Sequence, residues 1–97
     1  MKPLSEITSI IQSHKPELAE KYGVAEIGIF GSVVRGEATE DSDVDVLVEF
    51  SRTIGFVTFM RLSFYLEDIF GAKVDLVTRN ALKPRIGQYI LKEVVYV

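Results

Sequence analysis

Residues 29–50 read IFGSVVRGEATEDSDVDVLVEF, and the fold turns on how this stretch is divided. The run VAEIGIF, 24–30, reads as a strand, with Val24, Ile27 and Ile29 as its β-branched members. It ends at Gly31-Ser32. GSVVRGE is too short for a full helix and predicts one helical turn opening at that pair. ATEDS is a polar turn. DVDVLVEF then alternates, with Asp43, Asp45, Leu47 and Glu49 on one face and Val44, Val46, Val48 and Phe50 on the other. Two carboxylates seated in a run that otherwise reads as core need a reason to be there.

Outward from this pair, LSEITSIIQS carries Leu4, Ile7, Ile10 and Ile11 at helical spacing. HKPELAEKYG predicts a second, short helix begun by Ser13 or His14, with Pro16 in its first turn and Gly23 as its stop. SRTIG is a loop. FVTFMRLSFYLEDIFG is an apolar helix stopped by Gly71, with Arg61, Glu67 and Asp68 on its wet side. Its aromatics, Phe56, Phe59, Phe64, Tyr65 and Phe70, read mostly as core, with a surplus left to line a partner surface. KVDLVT is a third, buried-looking strand, and ALKPRIGQYILKEVVYV a final helix with Pro84 in its first turn. The order α-α-β-turn-β-α-β-α predicts an α/β fold: a small mixed sheet flanked by helices, its first two strands paired as a hairpin, in one domain over residues 1–97.

Composition narrows the function. The chain has no cysteine, which excludes disulfide and thiolate chemistry. Apolar stretches are broken by charges, so neither a signal peptide nor a membrane span is expected, and the cytoplasm is the expected compartment. A net charge of −3 argues against a duplex-binding face, and no direct nucleic-acid binding is expected. Oligomeric state, homo- or hetero-, is left open. His14, the single histidine, reads as an exposed residue at a helix junction.

Strand geometry puts Asp43 and Asp45 on the same face, about 6.5–7 Å apart. Like charges at that spacing repel unless a cation lies between them, and carboxylate oxygens are what Mg²⁺ and Mn²⁺ prefer. Asp75 sits mid-strand in KVDLV. If that strand neighbours DVDVLV, three carboxylates meet, as two-metal phosphoryl and nucleotidyl transfer requires. Gly31-Ser32 supplies the complement: a strand turning straight into a helical turn offers backbone N–H groups to an anion, and glycine lets a phosphate approach. Arg35, on the same turn, can reach a phosphate or brace a carboxylate. Lys83 and Arg85 lie near a helix start, where cations are disfavoured, which hints at an acidic or phosphate partner, although a solvated face reads better. Rival motifs fail on spacing. An EF-hand loop needs glycine where Val46 stands and glutamate where Arg52 stands; a P-loop needs lysine where Glu37 stands; Phe30 breaks G-x-G-x-x-G.

Gly31-Ser32, ten residues, then Asp43-x-Asp45 resembles the signature of the DNA polymerase β-like nucleotidyltransferases. GSVVRGEATEDSDVDVLVEF with KVDLVT and LKPRIGQYILKEVVYV is similar, over nearly the whole chain, to the minimal nucleotidyltransferase (MNT) domain proteins. The resemblance implies a polymerase β palm-like fold. It also implies Mg²⁺, two ions, and ATP as substrate. Asp43 and Asp45 would bind metal and nucleotide, Gly31 and Ser32 would hold phosphates, and Asp75 would complete the catalytic set. Val33 departs from the arginine or aromatic residue common after Gly-Ser in that family. The resemblance further implies an antitoxin that transfers AMP to a tyrosine of a HEPN-domain RNase toxin, whose basic character the acidic chain would suit. Two other readings stand beside it: a binding module that silences its partner by contact alone, and a nucleotidyltransferase for a small-molecule hydroxyl.

Overall fold

The computed structural model describes residues 1–97. Helix α1 (Leu4–Tyr22) leads into strand β1 (Val24–Phe30), a single helical turn α2 (Ser32–Arg35) and strand β2 (Val44–Phe50). Helix α3 (Phe56–Phe70) crosses to strand β3 (Val74–Thr78), and a 3₁₀ turn (Arg79–Ala81) leads to helix α4 (Pro84–Glu93) and a short strand β4 (Val95–Tyr96). The sheet order is β3-β2-β1-β4. β1 runs antiparallel to both β2 and β4, while β2 and β3 are parallel. A parallel pair cannot be closed by a tight turn, and α3 is the crossover that joins it. The mixed sheet and the hairpin agree with the alternation of 43–50.

One face of the sheet carries the core. Val44, Val46 and Val48 alternate inward from β2 and meet Ile27 and Ile29 of β1, Ile7, Ile11 and Leu18 of α1, and Leu62, Leu66 and Phe70 of α3. All eleven of these side chains are buried. At about 1.5–3 kcal/mol for each fully buried large apolar side chain, this cluster is the main stabiliser of the fold. The other face carries Asp45 and Glu49, with Leu47 buried between them beside Arg79 and Tyr96.

The structure corrects the sequence reading in four places. α1 is one continuous helix, with Pro16 inside it. Proline costs a backbone hydrogen bond there, but Ile7, Ile11 and Leu18 share one buried face, and a break would withdraw part of it. His14 therefore lies mid-helix, part-buried, its Nδ1 2.7 Å from Ile10 O and its ring edge-on to Tyr65. The terminal VVYV is not helical: α4 ends at Glu93, and Val95 and Tyr96 pair with Ile29 and Gly28. β-Branched residues beside an open sheet edge satisfy more backbone as a strand than as helix. Of the α3 aromatics only Phe70 is buried; Phe56 is 75% and Phe64 59% exposed, in a stripe with Val57 and Met60. Finally, β3, which reads as a buried strand, is only part-buried, and its Asp75 is exposed.

The loop 51–55 and the start of α3 lie at one end of the sheet, around a hollow of about 590 Å³. The carboxylates and the Gly31 turn lie at the other.

Candidate active site

Parallel pairing sets Asp45 directly opposite Asp75, and antiparallel pairing sets Phe30 opposite Asp45. The residue after Phe30 is Gly31, so the end of β1, the start of β2 and the start of β3 converge on one corner of the sheet. Asp43 precedes β2 by one residue and is exposed. The expectation that KVDLV neighbours DVDVLV, with the two acids on one face, agrees with this register.

Gly31 has φ 77° and ψ −150°, a conformation that only glycine adopts without strain. A Cβ placed there would overlap Asp45 Oδ2 and lie 2.9 Å from Asp45 Cγ. The missing side chain is what lets the Asp45 carboxylate tuck under the turn. α2 then closes in one turn: Arg35 N–H donates to Gly31 O at 3.1 Å and Glu37 N–H to Ser32 O at 2.9 Å. Val33 is buried and anchors the turn to the core.

The electrostatics follow from this crowding. The Asp45 carboxyl is pushed above the usual carboxylate range, first by burial and then by the charges of Asp75 and Asp43, with Arg35 opposing. A part-buried acid whose ionisation is disfavoured by neighbouring carboxylates is a common mark of a functional site. As the side chains stand, no group of three His, Cys, Asp or Glu is close enough to hold a metal ion. The donors nevertheless fit a hard divalent cation: oxygen ligands only, from adjacent strands, with a surplus of negative charge that a cation would relieve. A hollow of about 580 Å³ opens beside Asp43, with Lys2 and Lys73 among its walls.

Arg35 makes two charge-assisted bonds, from Nε to Glu37 Oε1 and from Nη1 to Glu93 Oε1, each 2.6 Å. The second Glu93 oxygen, Oε2, accepts the Gly31 N–H at 2.9 Å. These bonds, that from Gly31 foremost, hold the Glu93 carboxyl below its usual range. Glu93 was invisible to sequence reasoning because nothing in LKEVV relates it to residue 31; only the return of β4 to the edge of β1 brings it there. The basic residues after β3 make no hydrogen bond or ion pair to the site residues. Arg79 instead lies 3.7 Å from Glu49, on the same face as Asp45 but toward the opposite end of β2.

A nucleotidyltransferase domain family matches residues 11–97. The protein adenylyltransferase MntA of Thermococcus cleftensis is 54% identical over 97 residues, 100% of this chain and 98% of its own. A solved structure provisionally named a minimal nucleotidyltransferase is 34% identical, with a TM-score of 0.81 over 97% of this chain and 95% of its own. A more distant likeness, of fold alone, is to a chain from the complex of a tri-AMPylated Shewanella oneidensis HEPN toxin with an MNT antitoxin. It is 18% identical, with a TM-score of 0.59 over 95% of this chain and 66% of its own.

Proposed function

The chain belongs to the nucleotidyltransferase domain family, and from that premise we propose that it transfers AMP from ATP to a tyrosine hydroxyl of a HEPN-domain RNase toxin and so serves as its antitoxin. Protein adenylyltransferase is its enzyme class. The observation that carries the reading is the register of Asp45 with Asp75 beneath the side-chain-free turn at Gly31. A purely binding role requires neither the paired acids nor a turn that only glycine can make. The tri-AMPylated HEPN toxin held by an MNT antitoxin supports the choice of acceptor. In this reading residues 1–97 act as a single domain in the cytoplasm; no helix is long and apolar enough to cross a membrane.

Each residue has a part. The Gly31 N–H and the Ser32 hydroxyl hold phosphate oxygens, and Arg35 adds positive charge on the same turn. Asp43, Asp45 and Asp75 would hold Mg²⁺, two ions in this reading, which supplies neutralisation of the charge that develops on the phosphates. Asp75 also orients the acceptor hydroxyl and takes its proton. The hydroxyl oxygen forms a bond to the α-phosphorus as the bond to the α–β bridging oxygen breaks, and the electron pair leaves with pyrophosphate. The toxin docks on the exposed stripe Phe56, Val57, Met60 and Phe64, apolar surface that this chain leaves uncovered.

The test is a co-incubation of the chain, a HEPN-domain toxin, ATP and Mg²⁺, read by mass spectrometry and by RNase activity. The expected result is AMP on a toxin tyrosine and loss of RNase activity, both abolished by Asp45→Asn. Equal silencing by Asp45→Asn with no mass change would mean inhibition by contact alone.

A further inference from the structure

Glu93 lies on the donors assigned above to the nucleotide. One carboxylate oxygen takes the Gly31 N–H and the other takes Arg35, at 2.9 and 2.6 Å. A carboxylate in this position has the sign, the paired oxygens and the acceptor-only chemistry of a phosphate edge. The single Gly31 N–H cannot serve both. Nor can the corner readily hold both: Asp45 and Asp75 lie opposite each other there and Asp43 is close by in the chain, so a phosphate seated beside Glu93 would add negative charge to an already acidic corner.

Glu93 nevertheless has a setting that opposes these bonds. It is the last residue of α4, at the negative end of the helix dipole, where an anion is disfavoured. α4 itself is loosely seated, with Gly87 its only buried residue and Ile86 and Tyr89 exposed. Arg35 is half exposed, and an ion pair with such access to water contributes little.

We propose that Glu93 is a resident stand-in for a nucleotide phosphate, seated on Gly31 and Arg35 until the triphosphate displaces it. It keeps the turn ordered and its donors paired while the site is empty, and it lowers nucleotide affinity by competing for them. It touches no reacting atom; its role is to set affinity and to link occupancy of the turn to the position of α4. This rests on the reading that the Gly31-Ser32 turn takes the triphosphate.

The experiment is calorimetric titration of AMP-PNP with Mg²⁺ into wild type, Glu93→Gln and, as a control for net charge, Glu20→Gln on α1. Glutamine keeps an acceptor for the Gly31 N–H but removes the charge. Glu93→Gln is expected to bind about tenfold more tightly than wild type, equivalent to about 1.4 kcal/mol, and Glu20→Gln within about twofold. Equal or weaker binding by Glu93→Gln, with wild type binding normally, overturns this inference alone. Absence of binding in both overturns it together with the phosphate role of the turn. Should Glu93→Gln fail to fold by circular dichroism, a crystal structure of wild type with AMP-PNP decides. Glu93 detached from the Gly31 N–H supports the proposal; Glu93 still bonded there beside the nucleotide sinks it.

Discussion

Replacing Gly31 with alanine perturbs two things at once, and they can be separated. The backbone at φ 77°, ψ −150° is strained for any residue with a Cβ, at about 1–3 kcal/mol. The new methyl group also meets the Asp45 carboxylate, which must leave its rotamer at about 0.5–1.5 kcal/mol. Gly31→Ala should therefore lose about 1.5–4.5 kcal/mol, or about 6–36 °C in Tm for a domain of this size. Asp45→Ala removes the obstructing oxygen and Cγ but leaves the backbone as it was. In that background Gly31→Ala should cost about 1–3 kcal/mol, so a double-mutant cycle isolates the clash as a coupling of about 0.5–1.5 kcal/mol. Urea denaturation followed by circular dichroism measures all four proteins. A single mutant within about 0.5 kcal/mol of wild type would refute the claim that the turn depends on an absent side chain.

Asp45→Asn should stabilise the metal-free protein at neutral pH by about 0.2–1 kcal/mol, because it ends a like-charge pair across two strands. Because the folded-state pKa of Asp45 is raised, its contribution is most favourable below the ordinary carboxylate range and is lost as pH rises through the raised value. The stability gap between variant and wild type should therefore widen from pH 4 to pH 8 in urea titrations. Gly28→Val would bring a Cβ to 2.6 Å from Val94 Cγ2 and 3.0 Å from Val95 O; hydrogen exchange at 95–97 should accelerate while the α1 and α3 amides stay protected. Leu66→Ala, at a fully buried position of α3, should cost about 2–5 kcal/mol in the same denaturation assay.

Much of this corner is legible in the sequence, for physical reasons. The period-two pattern of 43–50 fixes which residues share a face, so Val44, Val46 and Val48 declare the core and Asp45 its opposite. Gly31 is readable because a strand that turns straight into a helical turn often needs the backbone freedom of glycine at the junction. The opposition of Asp45 and Asp75 is readable only conditionally, since strand adjacency is a tertiary fact. Glu93 is not readable, being 62 residues from Gly31 in sequence. The α3 aromatics mislead for a related reason. Hydrophobicity reports what a side chain would bury if covered, whereas two helices on a four-stranded sheet leave one side of α3 without a cover. Pro16 misleads because local propensity favoured a break that the shared buried face overrides.

The separation of the sheet into an end that carries the carboxylates and an end that carries the start of α3 has a practical consequence. Gly55 lies in the loop before α3, at the end remote from Asp45, with an ordinary extended backbone of φ −81°, ψ 169° and nothing within 4 Å of an added Cβ. The chain contains no cysteine. Gly55→Cys therefore creates the sole thiol in the molecule, free of backbone penalty. A fluorophore attached there would sit beside the stripe that begins at Phe56, remote from Asp45, so its emission would report the arrival of a docking partner with no competing attachment site to blur the signal.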